Sequence, residues 1–217
     1  MMSRLTHLLR TMTDMKNWTG NGKSTFVTLG ASNHTDKERE KHDFYATDPI
    51  AIDKLFGCPV CFNIPDIVWE CACGNGCLSE RMEYFGRMVY SSDIVDRGYG
   101  VVLDFLNADT MPEGCECIIT NPPYKYATEF VMHALDLLPN GGWCIMFLKT
   151  TFLEGQKRWK EIFSSTPPKY VLQFSQRVLC AKNGQFQRMR DGGGSAVAYA
   201  WYVWRKGYDG DTIIRWI

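Results

Sequence analysis

Ile67-Val68-Trp69-Glu70-Cys71-Ala72-Cys73-Gly74-Asn75-Gly76 is an apolar run that ends in an acid and a turn with two glycines, and the amphipathic stretch Leu78–Phe85 follows it. The simplest reading is a buried strand, a tight turn and a helix. Glycines at such a turn let the backbone pass close to a ligand where a side chain would collide, and the helix amino terminus leaves unpaired N–H groups facing that ligand. Glu70, Cys71, Ala72, Gly74 and Gly76 are therefore candidate contacts for a nucleotide-like cofactor. A two-glycine turn can also serve only to pack a helix on a strand. The three-glycine dinucleotide fingerprint is missing, because Cys77, Leu78 and Ser79 follow Gly76, which weakens an NAD or FAD reading.

Outward from this stretch, short apolar runs alternate with amphipathic ones. Met88–Ser91, Val101–Leu103, Cys117–Thr120, Trp143–Leu148 and Tyr170–Phe174 read as strands. Thr128–Leu138, closed by Pro139, Asn140 and Gly141, and Gln156–Phe163 read as helices. The pattern predicts an α/β fold, Rossmann-like, with a mostly parallel seven-stranded sheet and helices on both faces. Ala196–Trp204 departs from the alternation and predicts a C-terminal antiparallel hairpin with the Tyr170 strand, joined by a polar loop ending in Gly192, Gly193 and Gly194. Ile213–Ile217 adds a short edge strand. Ligands in such folds bind beyond the carboxyl ends of the strands, so chemistry belongs just after the apolar runs.

Two residues in that position stand out. Asp93 follows Val89-Tyr90-Ser91-Ser92, about twenty residues beyond the glycines, where a carboxylate can accept both hydroxyls of a ribose; a plain turn aspartate is the alternative. Asn121-Pro122-Pro123-Tyr124 follows Ile118-Ile119-Thr120. Two prolines fix the backbone so that the Asn121 side chain and the Pro122 carbonyl converge on one point. An exocyclic amino group has two hydrogens to donate; when both are held, its lone pair turns out of conjugation and toward an incoming electrophile. Alignment and electrostatics then carry the rate with little acid–base chemistry. Tyr124 would stack on the flat target, and the alternative is a rigid Pro-Pro exit from a strand. Lys125 follows on the substrate side.

With these residues in view, the stretch from about Asp43 to Trp204 resembles the amino-methyltransferases, and specifically the phage- and prophage-type adenine DNA methyltransferases of the gamma order. Asp43-Phe44-Tyr45-Ala46-Thr47-Asp48-Pro49 resembles the segment these enzymes place ahead of the cofactor loop. Glu70–Gly76 resembles their glycine loop, Asp93 the ribose-binding acid, Asp104-Phe105 the pair that recognises the cofactor adenine, and Asn121–Tyr124 the catalytic motif. The resemblance implies the class I methyltransferase fold, S-adenosylmethionine as cofactor and a flipped adenine in DNA as target. It places Phe44, Tyr45 and Thr47 at the methionine end of the cofactor, with Asn121 beside it. The same turn occurs in enzymes acting on RNA bases or protein glutamine, and a nucleic-acid-binding module that keeps only the fold is a third option. Cys71 and Cys73 stand where small residues or Pro are frequent in the family, a packing variation. The connection from Asp104-Phe105 to the Cys117 strand is short and little follows Trp204, so sequence recognition is assigned to an oligomer or a partner.

The remaining sequence sets limits. In the 217 residues Lys+Arg and Asp+Glu are both 24, so nucleic-acid binding must rest on local patches. Arg188 and Arg190, in a loop over 177–194 with Arg177 and Lys182, are candidate phosphate contacts, with a solvated hairpin loop as the alternative. Residues 1–42 read as a polar arm and 43–217 as a single catalytic domain. Gly22-Lys23-Ser24 resembles the end of a phosphate-binding loop, but the first glycine of that motif would fall on Asn17. Nine cysteines in a chain of this length without an export signal read as reduced thiols in a cytoplasmic protein. The Cys58/Cys61 pair has no second pair of matching spacing, so no metal is expected, and no apolar run reaches membrane-spanning length.

Overall fold

A computed structural model describes residues 45–181, 184–191 and 195–217. The expected polar arm, Phe44, Lys182 and Gly192–Gly194 lie outside the described residues.

The chain enters through β1 (Ala46–Thr47) and α1 (Ile50–Phe56), then β2 (Ile67–Glu70), α2 (Cys77–Tyr84), β3 (Met88–Asp93) and β4 (Val101–Val102). There follow β5 (Cys117–Thr120), α3 (Ala127–Leu137), β6 (Trp143–Lys149) and α4 (Gln156–Arg158), which runs into a π-helical turn over Trp159–Phe163. The end of the chain supplies β7 (Tyr170–Gln173), β8 (Cys180–Ala181), α5 (Phe186–Asp191), β9 (Tyr199–Arg205) and β10 (Ile213–Trp216). Eight of the strands form one sheet in the order β10-β7-β9-β6-β5-β2-β3-β4. All neighbours are parallel except β9, which runs antiparallel to both β6 and β7. The seven expected strands are present, and β10 extends the sheet to eight by pairing parallel with β7.

Alternation along the strands divides the core between two faces. Val68, Ile119, Ile145, Phe147 and Trp201 pack with Ala51, Ile52 and Leu55 of α1 and Leu78 and Met82 of α2. Their neighbours Trp69, Ile118, Cys144, Met146 and Tyr202 pack on the other side with α3 and with Ile162. In α3 the buried residues Ala127, Phe130, Val131, Ala134 and Leu135 recur at the spacing that puts one stripe of a helix against a sheet. The helix stops where Leu138 turns extended ahead of Pro139. Strand β6 is covered on both faces, which is why it reads as an unbroken apolar run.

Strand β9 is the most heavily loaded element. Trp201, Tyr202 and Trp204 are fully buried, and each polar tip has a partner. Trp201 Nε1 donates to the Ala51 carbonyl at 2.9 Å, Tyr202 Oη to the Lys149 carbonyl at 3.1 Å, and Trp204 Nε1 to the Thr166 carbonyl at 3.0 Å. The bond from Trp201 ties α1 to the centre of the sheet.

Three features were not anticipated. Helix α1, with Ala51, Ile52 and Leu55 buried, spans only seven residues, too few for its stripe to stand out in the sequence; β1 and β8 pair over only two residues, Ala46↔Ala181 and Thr47↔Cys180. The stretch expected as one helix over 156–163 changes pitch, with the Ser164 N–H reaching back to the Trp159 carbonyl at 2.9 Å.

Replacing Trp201 with alanine removes a buried indole and its bond to α1. The expected cost is about 3–5 kcal/mol of unfolding free energy in a urea melt. A loss below about 1 kcal/mol would show that β9 is not the anchor described here.

Candidate active site

The carboxyl ends of β2, β3 and β5 open into one cavity of about 740 Å³. Tyr45, just ahead of β1, and Thr47 of β1 line it, with Glu70 at the end of β2 and Cys71, Ala72 and Gly74 from the turn that follows. Asp93 reaches it from the end of β3, Asp104 and Phe105 from the loop after β4, and Asn121, Pro122, Pro123, Tyr124 and Lys125 from the turn after β5. Residues from five separate segments between Tyr45 and Phe130 thus meet in one place, as the strand-end rule predicts.

Not every expected residue arrives. Gly76 is absent from the lining: its φ of 86° demands a left-handed conformation, and a Cβ there would sit 2.6 Å from the Tyr99 ring. The turn and the Tyr99 ring each require glycine at this position. Arg188 and Arg190 also lie off the cavity, on α5, where Arg190 is ion-paired with Asp48. Phe44 lies outside the described residues. The cavity is also lined by residues that sequence reasoning missed, among them Asn75, Ile94, Arg97, Tyr126 and Phe130. They flank the expected ones, and no motif sets them apart.

Each acid has a distinct local role. Asp93 joins its own loop to the glycine turn, accepting the Gly74 N–H on Oδ2 and the Val95 N–H on Oδ1, both at 2.9 Å. Each oxygen keeps a second acceptor site. Asp104 caps the short helical turn Phe105–Asn107 by accepting the Leu106 N–H at 3.1 Å, and it also accepts from the Asn107 side chain at 2.7 Å. Phe105 anchors that turn, its ring packed against Trp69 and Phe130 with centroids 5.1 and 4.9 Å away. Glu70 is buried at the base of the cavity and accepts a hydrogen bond from Ser79 Oγ, which in turn lies 2.7 Å from Ser91 Oγ. Burial pushes the Glu70 carboxyl up from 4.5 to about 8, against the opposing effect of Ser79.

The turn after β5 holds the most specific geometry. Asn121 Nδ2 donates to Thr47 Oγ1 at 2.8 Å and points to the Tyr45 carbonyl at 3.5 Å. A carbonyl oxygen only accepts, so the nitrogen end of the carboxamide must face β1. The other end, Asn121 Oδ1, is buried and has no partner. An orphaned buried acceptor costs about 1–3 kcal/mol, so this oxygen calls for a donor from a water or a ligand. Tyr124, half-buried beside it, stacks on Tyr199 with centroids 6.0 Å apart and an interplanar angle of 26°. Lys149 Nζ lies 4.9 Å from the same ring. Lys149 and Tyr199 are register partners across β6 and β9, so both lean on the ring from the sheet.

All nine cysteines are unpaired thiols, and burial pushes Cys71, Cys117 and Cys144 far up, so they are inert packing groups. Among the described residues no group of three or more His, Cys, Asp or Glu is placed to hold a metal ion. Among the same residues no helix is long and apolar enough to cross a membrane.

Solved structures resemble this arrangement. The methyltransferase subunit of a type I restriction-modification system from Streptococcus thermophilus matches with a TM-score of 0.56 at 14% identity, over 80% of this chain and 47% of that one. The fold is that of the class I methyltransferases. A Listeria monocytogenes protein assigned to the class I S-adenosylmethionine-dependent methyltransferases matches with a TM-score of 0.53 at 12% identity, over 89% of this chain and 71% of that one. A Pyrococcus horikoshii protein described as an RNA methyltransferase matches with a TM-score of 0.50 at 14% identity, over 85% and 98% of the two chains. No protein-family model matches the chain, and no curated protein matches it.

The buried acid gives a stability signature. Between pH 4.5 and about 8 the folded Glu70 keeps a proton that the unfolded chain releases, so wild-type stability falls as pH rises through that window and levels off above it. Glu70→Gln should flatten that part of the curve in melts run across the window. Parallel wild-type and variant curves would mean that Glu70 is ionised in the fold.

Proposed function

We propose that this chain transfers a methyl group from S-adenosylmethionine to the exocyclic amino nitrogen of adenine in DNA, with the base swung out of the helix into the cavity. The observation that carries the reading is the buried, unpartnered Asn121 Oδ1 at the head of Asn121-Pro122-Pro123-Tyr124.

The cavity residues fit that cofactor. At about 740 Å³ the cavity lies within the range of pockets that take nucleoside-sized ligands. The free acceptor sites of Asp93 suit two ribose hydroxyls, and the Asp104–Leu106 turn suits an adenine edge. Glu70, Ala72 and Gly74, with Tyr45 and Thr47 across the cavity, suit the methionine end. When bound there, S-adenosylmethionine supplies an electrophilic methyl group on a positively charged sulfur.

The residues of this chain do the rest by placement. Asn121 Oδ1 and the Pro122 carbonyl accept the two hydrogens of the target amine and draw its lone pair out of conjugation. Tyr124 offers the part of its ring that faces the cavity as a stacking platform, steadied by Tyr199 and Lys149. Lys125, exposed after the turn, and Arg188, exposed on α5, meet phosphates. Arg190, exposed on the same helix and ion-paired with Asp48, adds positive charge to that surface. Adenine in DNA is favoured over RNA and protein glutamine because the Asp43–Pro49 segment resembles that of the DNA enzymes, and sequence selection then falls to an oligomer or a partner.

Labelled S-adenosylmethionine, offered in parallel with duplex DNA, single-stranded DNA, RNA and cell protein, tests this directly. Label is expected in DNA as N6-methyladenine; label only in RNA or in protein glutamine would replace the substrate, and no transfer to any acceptor would refute the activity. Asn121→Ala should cut transfer by about 10²–10³-fold while leaving cofactor affinity nearly intact. Asp93→Ala should instead weaken cofactor binding about tenfold or more. Full activity in the Asn121 variant would remove the mechanism.

A further inference from the structure

We propose that Thr47 is a positioning residue: its hydroxyl, held by the β1–β8 strap, sets which end of the Asn121 carboxamide faces the target amine. The inference rests, for its kinetic test, on the methyltransferase reading.

A carboxamide has two ends of nearly equal size and opposite polarity, and rotation by half a turn about its last torsion exchanges them. With oxygen toward the cavity, Asn121 accepts a hydrogen from an amine. With nitrogen toward it, donor would face donor, and the site would repel the group it has to hold. Two atoms oppose that rotation. The Tyr45 carbonyl, at 3.5 Å, sits at the limit of hydrogen-bonding distance; Thr47 Oγ1, at 2.8 Å, is the strong partner.

A hydroxyl enforces the orientation only while it accepts, and its own hydrogen must then go elsewhere. Cys180 Sγ, 4.0 Å from Thr47 Oγ1, is a sulfur that can take that hydrogen, brought there because Thr47 and Cys180 are directly opposed in the two-residue ladder of β1 and β8. The same sulfur lies 3.5 Å from Tyr124 Oη. One buried thiol therefore touches both the group that orients Asn121 and the ring next to it. The strap is fastened beyond the ladder as well: the Asp48 N–H donates to the Leu179 carbonyl at 2.9 Å, and Arg190 of α5 pairs with the Asp48 carboxylate. Thr47 is 3% exposed and Cys180 6%, so the hydroxyl is shielded from water that would otherwise compete for the amide.

The test pairs Thr47→Val, which keeps the shape and deletes the acceptor, with Thr47→Ser, which keeps the acceptor. Thr47→Val is expected to lower kcat about 10²-fold on the acceptor the wild-type protein methylates, measured at saturating S-adenosylmethionine so that any change in cofactor affinity is read separately. Thr47→Ser should recover most of that loss. Wild-type kcat in Thr47→Val, a loss of cofactor affinity that accounts for the whole defect, or a serine variant as impaired as the valine one would each overturn the proposal. A second readout needs no substrate: the side-chain amide signals of Asn121, identified by their disappearance in Asn121→Asp, should move in Thr47→Val and stay near their wild-type shifts in Thr47→Ser. Unmoved signals in Thr47→Val overturn the orientation claim, even if the wild-type protein methylates nothing and the methyltransferase reading has failed by itself.

Discussion

The contact between Asn121 Nδ2 and Thr47 Oγ1, with the oxygen of the same carboxamide left buried and unpaired, is the constraint around which the cavity is organised. One side of the amide is satisfied by the protein and the other is not. On the proposed function that asymmetry serves binding, because a desolvated acceptor gains most from a ligand donor that arrives already aligned. Asp93 repeats the arrangement at the other end of the cavity: it ties two loops together through backbone N–H groups and keeps acceptor capacity in reserve.

Such a corner is possible only on a stiff support. Strand β5, which carries Asn121, is buried along its whole length between β2 and β6. Next to β6 stands β9, whose large rings fill both core layers and bind neighbouring elements through their polar tips. Because Lys149 ends β6 and Tyr199 begins β9, the pair that supports the Tyr124 ring is placed by the register of the sheet itself. The partner of Asn121 arrives from a different direction, on a strand that belongs to a separate two-residue ladder with β8. The site therefore depends on two independent supports meeting at one side chain.

How much of this was legible from residue order follows from what leaves a periodic trace. Ile67–Glu70 and Cys117–Thr120 were read with their observed limits, because both are short apolar runs followed by turn residues. Helix α3 was visible from its stripe and from the proline beyond it. Asp93, Asp104 and Asn121 were found because strand-end positions are where an α/β sheet presents its ligands, and the fold then brought them together. The β1–β8 ladder was illegible: two residues carry no period, and the pairing joins segments far apart in the chain. For the same reason nothing marked Cys180 or Tyr199 as neighbours of Tyr124, and nothing marked Arg190 as the partner of Asp48. Gly76 is ambiguous in a sequence, since a ring packed from Tyr99 and a cofactor leave the same mark there.

The most direct measurement is a crystal structure with S-adenosylhomocysteine bound. The account predicts the ribose hydroxyls on Asp93, the sulfur on the Asn121 side of the cavity, and Asn121 Oδ1 still without a partner, with its nitrogen on Thr47. A product lying elsewhere on the molecule, or an Asn121 carboxamide turned over so that its nitrogen faces the cavity, would contradict it.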